Sequence, residues 1–176
     1  QLLWVNLVTD SLPALALGRE KIESGVMDER PISPKKSLFS GGLAGDILTE
    51  GIMIGVLALV AFFCGFSFFD ADMSNPVVGR TMAFCVLSLS QLFHAFNTRS
   101  GRSVFAIGPF GNKAMLIAFA VGTLMQAGVV SVAPLAALFH VTPLNGRQWL
   151  ITAALSATPI LLVELGKAAG RSRRKG

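Results

Sequence analysis

Charge is scarce in this sequence. Only 14% of its 176 residues are Asp, Glu, Lys or Arg, against about a quarter in an average soluble domain. Cysteine is nearly absent as well. Cys64 and Cys85 both sit in apolar runs with no CxxC between them, which excludes a disulfide framework and a zinc-type ligand spacing. No glycine-rich loop suited to a phosphate and no nucleophile elbow occurs, so a soluble catalytic domain is excluded. There is no internal repeat and no low-complexity tract. The charged start and small-residue cleavage pattern of a secretory signal are missing too. The first residue is Gln rather than Met, and the expectation is that further sequence precedes it.

What remains is oil. Just over half the residues are hydrophobic and the mean hydropathy is +0.62. The apolar residues gather in runs near the roughly 20 residues that cross a bilayer as a helix. Five spans are expected, at about 1–18, 47–69, 77–97, 114–138 and 148–166, all helical because an open sheet edge has no partner in lipid. The fold class is therefore all-α, a polytopic transmembrane bundle. The net charge of +5 does not indicate nucleic acid, because of where it lies. Residues 19–36 hold five Lys or Arg, 99–113 hold three and 167–175 hold five, while Arg80 and Arg147 stand alone in the other connections. Basic residues on alternate connections follow the positive-inside rule. The reading is a multi-pass protein of the cell membrane, with its start outside or lumenal. Its 19–46 loop, its 98–113 loop and its basic tail 167–176 are then cytoplasmic, the tail beside anionic lipid headgroups.

One span is not uniformly apolar. In "VNLVTDSLPALALG" (Val5 to Gly18) the residues Asn6, Thr9 and Asp10 are spaced i, i+3, i+4, which places them on one face of an α-helix. A carboxylate at the centre of a membrane helix costs about 2.5–3.5 kcal/mol on insertion scales and marks an ion, a proton or a partner charge. Pro13 has no N–H for the carbonyl of Thr9 and crowds it, so the helix should bend or open there and free backbone oxygen. Side-chain and backbone oxygens at flexible spacing suit a hard cation such as calcium; a polar cluster that only holds helices together is the alternative. The third span adds Ser88, Gln91, His94 and Asn97. Gln91 can offer a neutral oxygen to the same ion, and His94 reads as a hydrogen-bonded packing residue. Asp46 and Glu50 read as interface-seeking carboxylates, and Glu164 as an ion-pair partner for Lys167. Gly51 and Gly55 form a small-xxx-small pair suited to close helix packing.

"QLLWVNLVTDSLPALALG" resembles the sixth membrane helix of the P-type calcium pumps, of the sarco/endoplasmic-reticulum and plasma-membrane types and their bacterial relatives. "MDERPISPKKSLFSGG" is similar to the cytoplasmic loop that follows it, with Met27, Asp28, Pro31, Ser33, Pro34, Lys35 and Leu38 in the expected order. The likeness continues, more diffusely, through the seventh to tenth helices. It implies that Asn6, Thr9 and Asp10 bind the transported Ca2+, with Gln91 contributing from the eighth helix. It also implies that Gly51 and Gly55 pack on the fifth helix and that the 19–46 loop couples the membrane site to a phosphorylation domain. Two positions depart from the pattern. Ser11 stands where many such pumps have Gly, and Gln91 where the two-calcium pumps have Glu, which resembles the plasma-membrane type. The aspartyl-phosphate motif, the nucleotide and actuator domains and the first five membrane helices do not occur in this sequence. ATP and Mg2+ would act only through that missing N-terminal portion, and this chain alone is expected to be inactive. Two readings stay open: the C-terminal membrane sector of an ATP-driven pump, and a non-enzymatic membrane protein such as a small channel, an assembly subunit or a pump remnant. Manganese, sodium or protons stay open beside calcium.

Overall fold

The computed structural model describes residues 1–20, 43–70, 74–98 and 111–173. Most of the 19–46 loop, expected to couple the membrane site to a phosphorylation domain, and most of the 98–113 loop lie outside them. The described residues form helices and no strand: α1 (Leu2–Trp4), a π-helical turn (Val5–Thr9), α2 (Ser11–Leu17), α3 (Leu43–Phe68), α4 (Val77–Asn97), α5 (Lys113–Ser131), α6 (Ala133–Phe139) and α7 (Gly146–Arg173). Four of them are long and apolar enough to cross a membrane: α3, α4, α5 and the Gly146–Lys167 part of α7. The segment Leu2–Leu17 is apolar but shorter, about 24 Å at an α-helical rise against a hydrocarbon core of about 30 Å.

The ends of the helices are held by side chains. Both Asp70 oxygens accept from the first turn of α4, from Val78 N at 2.8 Å and Gly79 N at 2.9 Å, which satisfies backbone donors that a helix start leaves open. Asn112 Oδ1 accepts from Met115 N at 3.1 Å at the start of α5. Before α7, Asn145 Oδ1 takes the Gln148 N–H at 3.0 Å while Gln148 Oε1 takes the Asn145 N–H at 2.7 Å, a reciprocal capping box. The chain turns after α6 at His140, a left-handed residue with φ 53°.

One expected span differs from the structure. The 114–138 run is not one helix: Val132 is extended and separates α5 from α6. Pro134 cannot donate to the carbonyl of Val130 and its ring crowds it, which favours a break here, and it takes its place in the first turn of α6. The 148–166 span corresponds to the membrane-crossing part Gly146–Lys167, and its helix continues to Arg173, so the first part of the basic tail is helical. The first helix opens at the π-turn Val5–Thr9, one turn before Pro13.

α4 is the hub. It packs against α3, α5, α7 and the π-turn, and over half of its membrane-crossing window is buried, compared with 17% for α3 and for α7. Its tightest crossing is with α3. A Cβ built on Gly65 would lie 2.5 Å from the Gly79 Cα, and one on Gly79 would lie 2.7 Å from the Phe62 carbonyl oxygen. Only hydrogen fits between these backbones. A Cβ built on Gly51 or Gly55, the pair expected to pack closely, would meet nothing within 4 Å among the described residues.

Candidate cation site at the broken first helix

The π-turn ends at Thr9 and the α-pattern resumes with Ala14 N bonding Asp10 O at 3.1 Å. Single π-turns inside helices recur at functional sites. Here Pro13 removes the donor that would close an α-turn onto Thr9. Thr9 is fully buried. Its hydroxyl donates toward the Val5 carbonyl within its own helix and lies 3.1 Å from Gln91 Oε1 on α4. One hydroxyl proton serves two carbonyl acceptors, so the Gln91 oxygen keeps lone-pair capacity.

The single face expected for Asn6, Thr9 and Asp10 is split. Thr9 turns inward to α4, whereas Asn6 and Asp10 are exposed within this chain. The wider π-turn changes the angular spacing that an α-helix would impose. The structure therefore joins Thr9 to Gln91 and leaves Asn6 and Asp10 pointing away from the packed helices. The Asp10 carboxylate has no ion-pair or hydrogen-bond partner among the described residues, where no group of three or more His, Cys, Asp or Glu side chains could hold a metal. The oxygen donors gathered here are one carboxylate, one hydroxyl and two amides, which can complete part of a cation's shell and not the whole of it. Ser88, on Gln91's side of α4, is fully buried with no hydrogen-bond partner for its Oγ.

The other polar residues resolve into local pairs. Glu50 Oε2 is 3.0 Å from His94 Nε2, linking α3 to α4. Lys167 Nζ donates to the Asn97 carbonyl at 3.0 Å and lies 3.9 Å from Glu164. Asn97 Nδ2 donates to the Pro159 carbonyl at 3.3 Å, a second tie between α4 and α7. Sequence reading did not single out Gln126. It is fully buried in α5 and its Oε1 accepts the Trp4 indole N–H at 3.0 Å. The signal was present, since an amide inside "GTLMQAGVV" is as costly in lipid as the one at Gln91.

The family model described as "Cation transporting ATPase, C-terminus" matches residues 1–169. A "Calcium-transporting ATPase 1" of Bacillus cereus is 41% identical over 97% of this chain, which covers 21% of that relative. A "Calcium-transporting ATPase" of Bacillus subtilis is 36% identical over 93% of the chain, covering 18% of the relative. "Calcium-transporting ATPase 3, endoplasmic reticulum-type" of Arabidopsis thaliana is 30% identical over 98% of the chain. The chain spans about a fifth of the length of the curated relatives it matches.

Proposed function

This chain belongs to the cation-transporting ATPase family as its C-terminal membrane region, and we propose that it supplies part of the intramembrane site of an ATP-driven calcium pump. Asn6, Thr9, Asp10 and Gln91 are the ligands it contributes, with Asp10 as the charge that offsets the dication. The observation that carries this reading is the Thr9–Gln91 hydrogen bond. It sets a helix opened at a proline, with a carboxylate one residue further on, against an amide oxygen of α4. The exposure of Asn6 and Asp10 fits ligands shared with helices of the remaining N-terminal portion. The bare face at Gly51 and Gly55 fits the same portion, received by close backbone packing. ATP and Mg2+ act through that portion; no residue of this chain is assigned to either. That the relatives are calcium-transporting ATPases favours calcium over manganese, sodium or protons.

The test uses the full-length protein in membrane vesicles. ATP-driven 45Ca uptake is expected, and Asp10→Asn should abolish calcium-activated phosphoenzyme formation while the protein still accumulates in the membrane. Normal calcium affinity in that variant would remove Asp10 from the site. Uptake of manganese or sodium without calcium would reassign the cargo.

A further inference from the structure

Gln126 belongs to α5, a helix that provides none of the candidate ligands, yet it is fully buried and bonded to the start of the ligand-bearing helix. Its orientation is unambiguous. A tryptophan indole is a donor with no acceptor capacity, so the atom 3.0 Å from Trp4 Nε1 is the amide oxygen. The amide nitrogen then faces Cys85 Sγ at 3.6 Å, a weak acceptor on α4. Trp4 is the residue immediately before the π-turn Val5–Thr9, and Thr9, its last residue, is held by Gln91 of α4. The turn is thus gripped at both ends by glutamines from two different helices. Asn6 lies inside the grip and Asp10 directly after it. π-helical turns are rare, and this one carries Asn6 away from the α-helical spacing that its sequence suggests. The other contacts at this end are an edge-on packing of Trp4 against Phe139, with ring centroids 5.3 Å apart, and a bond from Gln1 Nε2 to the Phe139 carbonyl at 2.8 Å. Of the contacts to Trp4, the bond to Gln126 is the directional one.

We propose that Gln126 is a positioning residue for the cation site: by holding the Trp4 indole it keeps Val5–Thr9 in its π-turn and so aims Asn6 and Asp10. This rests on the reading of Asn6, Thr9, Asp10 and Gln91 as ligands. The experiment measures phosphoenzyme formation from labelled ATP against free calcium in the full-length pump, for Gln126→Leu, Trp4→Phe and the double variant, with thermal stability recorded in parallel. Each single variant is expected to raise the half-saturating calcium about tenfold and to leave the phosphoenzyme level at saturating calcium unchanged.

The double variant separates positioning from simple support. Removing one partner leaves a buried polar group unsatisfied, whereas removing both relieves that penalty. Stability should therefore recover in the double variant while the calcium shift persists at the level of the singles. A calcium affinity that recovers together with stability, or that never moves in variants that fold, overturns the proposal. If Gln126→Leu does not accumulate, the milder Trp4→Phe decides by itself: a wild-type calcium affinity there overturns the proposal. Asp10→Asn run in the same assay distinguishes the two failures. Calcium activation lost with Asp10→Asn but intact in the Gln126 and Trp4 variants refutes only this inference, whereas calcium activation intact in Asp10→Asn refutes the site on which it rests.

Discussion

Two aspartates in this chain meet opposite fates. Asp70 is spent on structure, with both oxygens bonded to the backbone at the start of α4. Loss of such a cap costs about 0.5–2 kcal/mol. Asp70→Ala should therefore lower the melting temperature of the detergent-solubilised protein, and Asp70→Asn, which keeps one acceptor, should lower it less. Equal melting temperatures for all three would show that the cap does not matter to the bundle. The Asp10 carboxylate is bonded to nothing among the described residues and stands in the middle of an apolar segment. Unlike Asp70 its carboxylate does nothing visible for the fold, so Asp10→Asn without added calcium should change the unfolding free energy by no more than about 0.5 kcal/mol, the range of substitutions away from packing features, and leave the melting temperature close to the parent's. A large destabilisation would mean that Asp10 serves the fold.

Among the elements, the crossing of α3 and α4 is the most constrained. An alanine at Gly65 would put a methyl within 2.5 Å of backbone that cannot swing aside. Overpacking of this kind costs about 1–3 kcal/mol. Gly128 in α5 has open space around its Cβ direction, where alanine gains helix propensity of about 1 kcal/mol over glycine. Gly65→Ala should thus destabilise and Gly128→Ala should not, as thermal unfolding in detergent will show; the reverse order would refute the crossing. Helix type was legible in the sequence because long apolar runs have one solution in lipid. The partner of each glycine was not. Gly65 and Gly79 lie 14 positions apart across a turn, and spacing within one helix cannot reveal a contact made with the next. Gly51 and Gly55 show the pattern without a close neighbour among the described residues. The break at Val132 was hidden for a related reason: hydropathy is continuous across it, and Pro134 was the single local clue. At the site, the sequence located the opening near Thr9, Asp10 and Pro13, but assumed α-helical spacing. The π-turn, which turns Thr9 in and Asn6 out, depends on grips at Gln91 and Gln126 that come from 82 and 122 residues away.

At the scale of the whole molecule, the charge distribution and the bundle make a joint prediction about orientation. In a variant lacking Cys64 and Cys85, single cysteines at Ser33 and Ser103 should react with an impermeant reagent only from the cytoplasmic side. A cysteine at Asn145 should react only from the opposite side. Labelling of Asn145 from the cytoplasm would contradict a five-span path. The donor inventory makes a second prediction. Calcium takes about 6–8 oxygens, and this chain offers one carboxylate, one hydroxyl and two amide oxygens to the site. Gln91 brings an oxygen without a charge, and two dications close together repel strongly at low effective dielectric. Equilibrium 45Ca binding to the full-length protein should saturate at one ion per pump; two ions bound cooperatively would show that Gln91 has been misread.

The link between Trp4 and Gln126 also gives the sector a built-in optical signal. The chain contains no tyrosine and only two tryptophans, Trp4 and Trp149. With Trp149 replaced by Phe, this region emits from one indole, whose N–H is bonded in the ground state to a buried amide and whose neighbour along the chain begins the π-turn. A rearrangement of that turn that lengthens or bends the bond would change the ultraviolet emission of the indole. If a cation bound at Asn6 and Asp10 moves the turn, its binding would be readable from Trp4 fluorescence without a label.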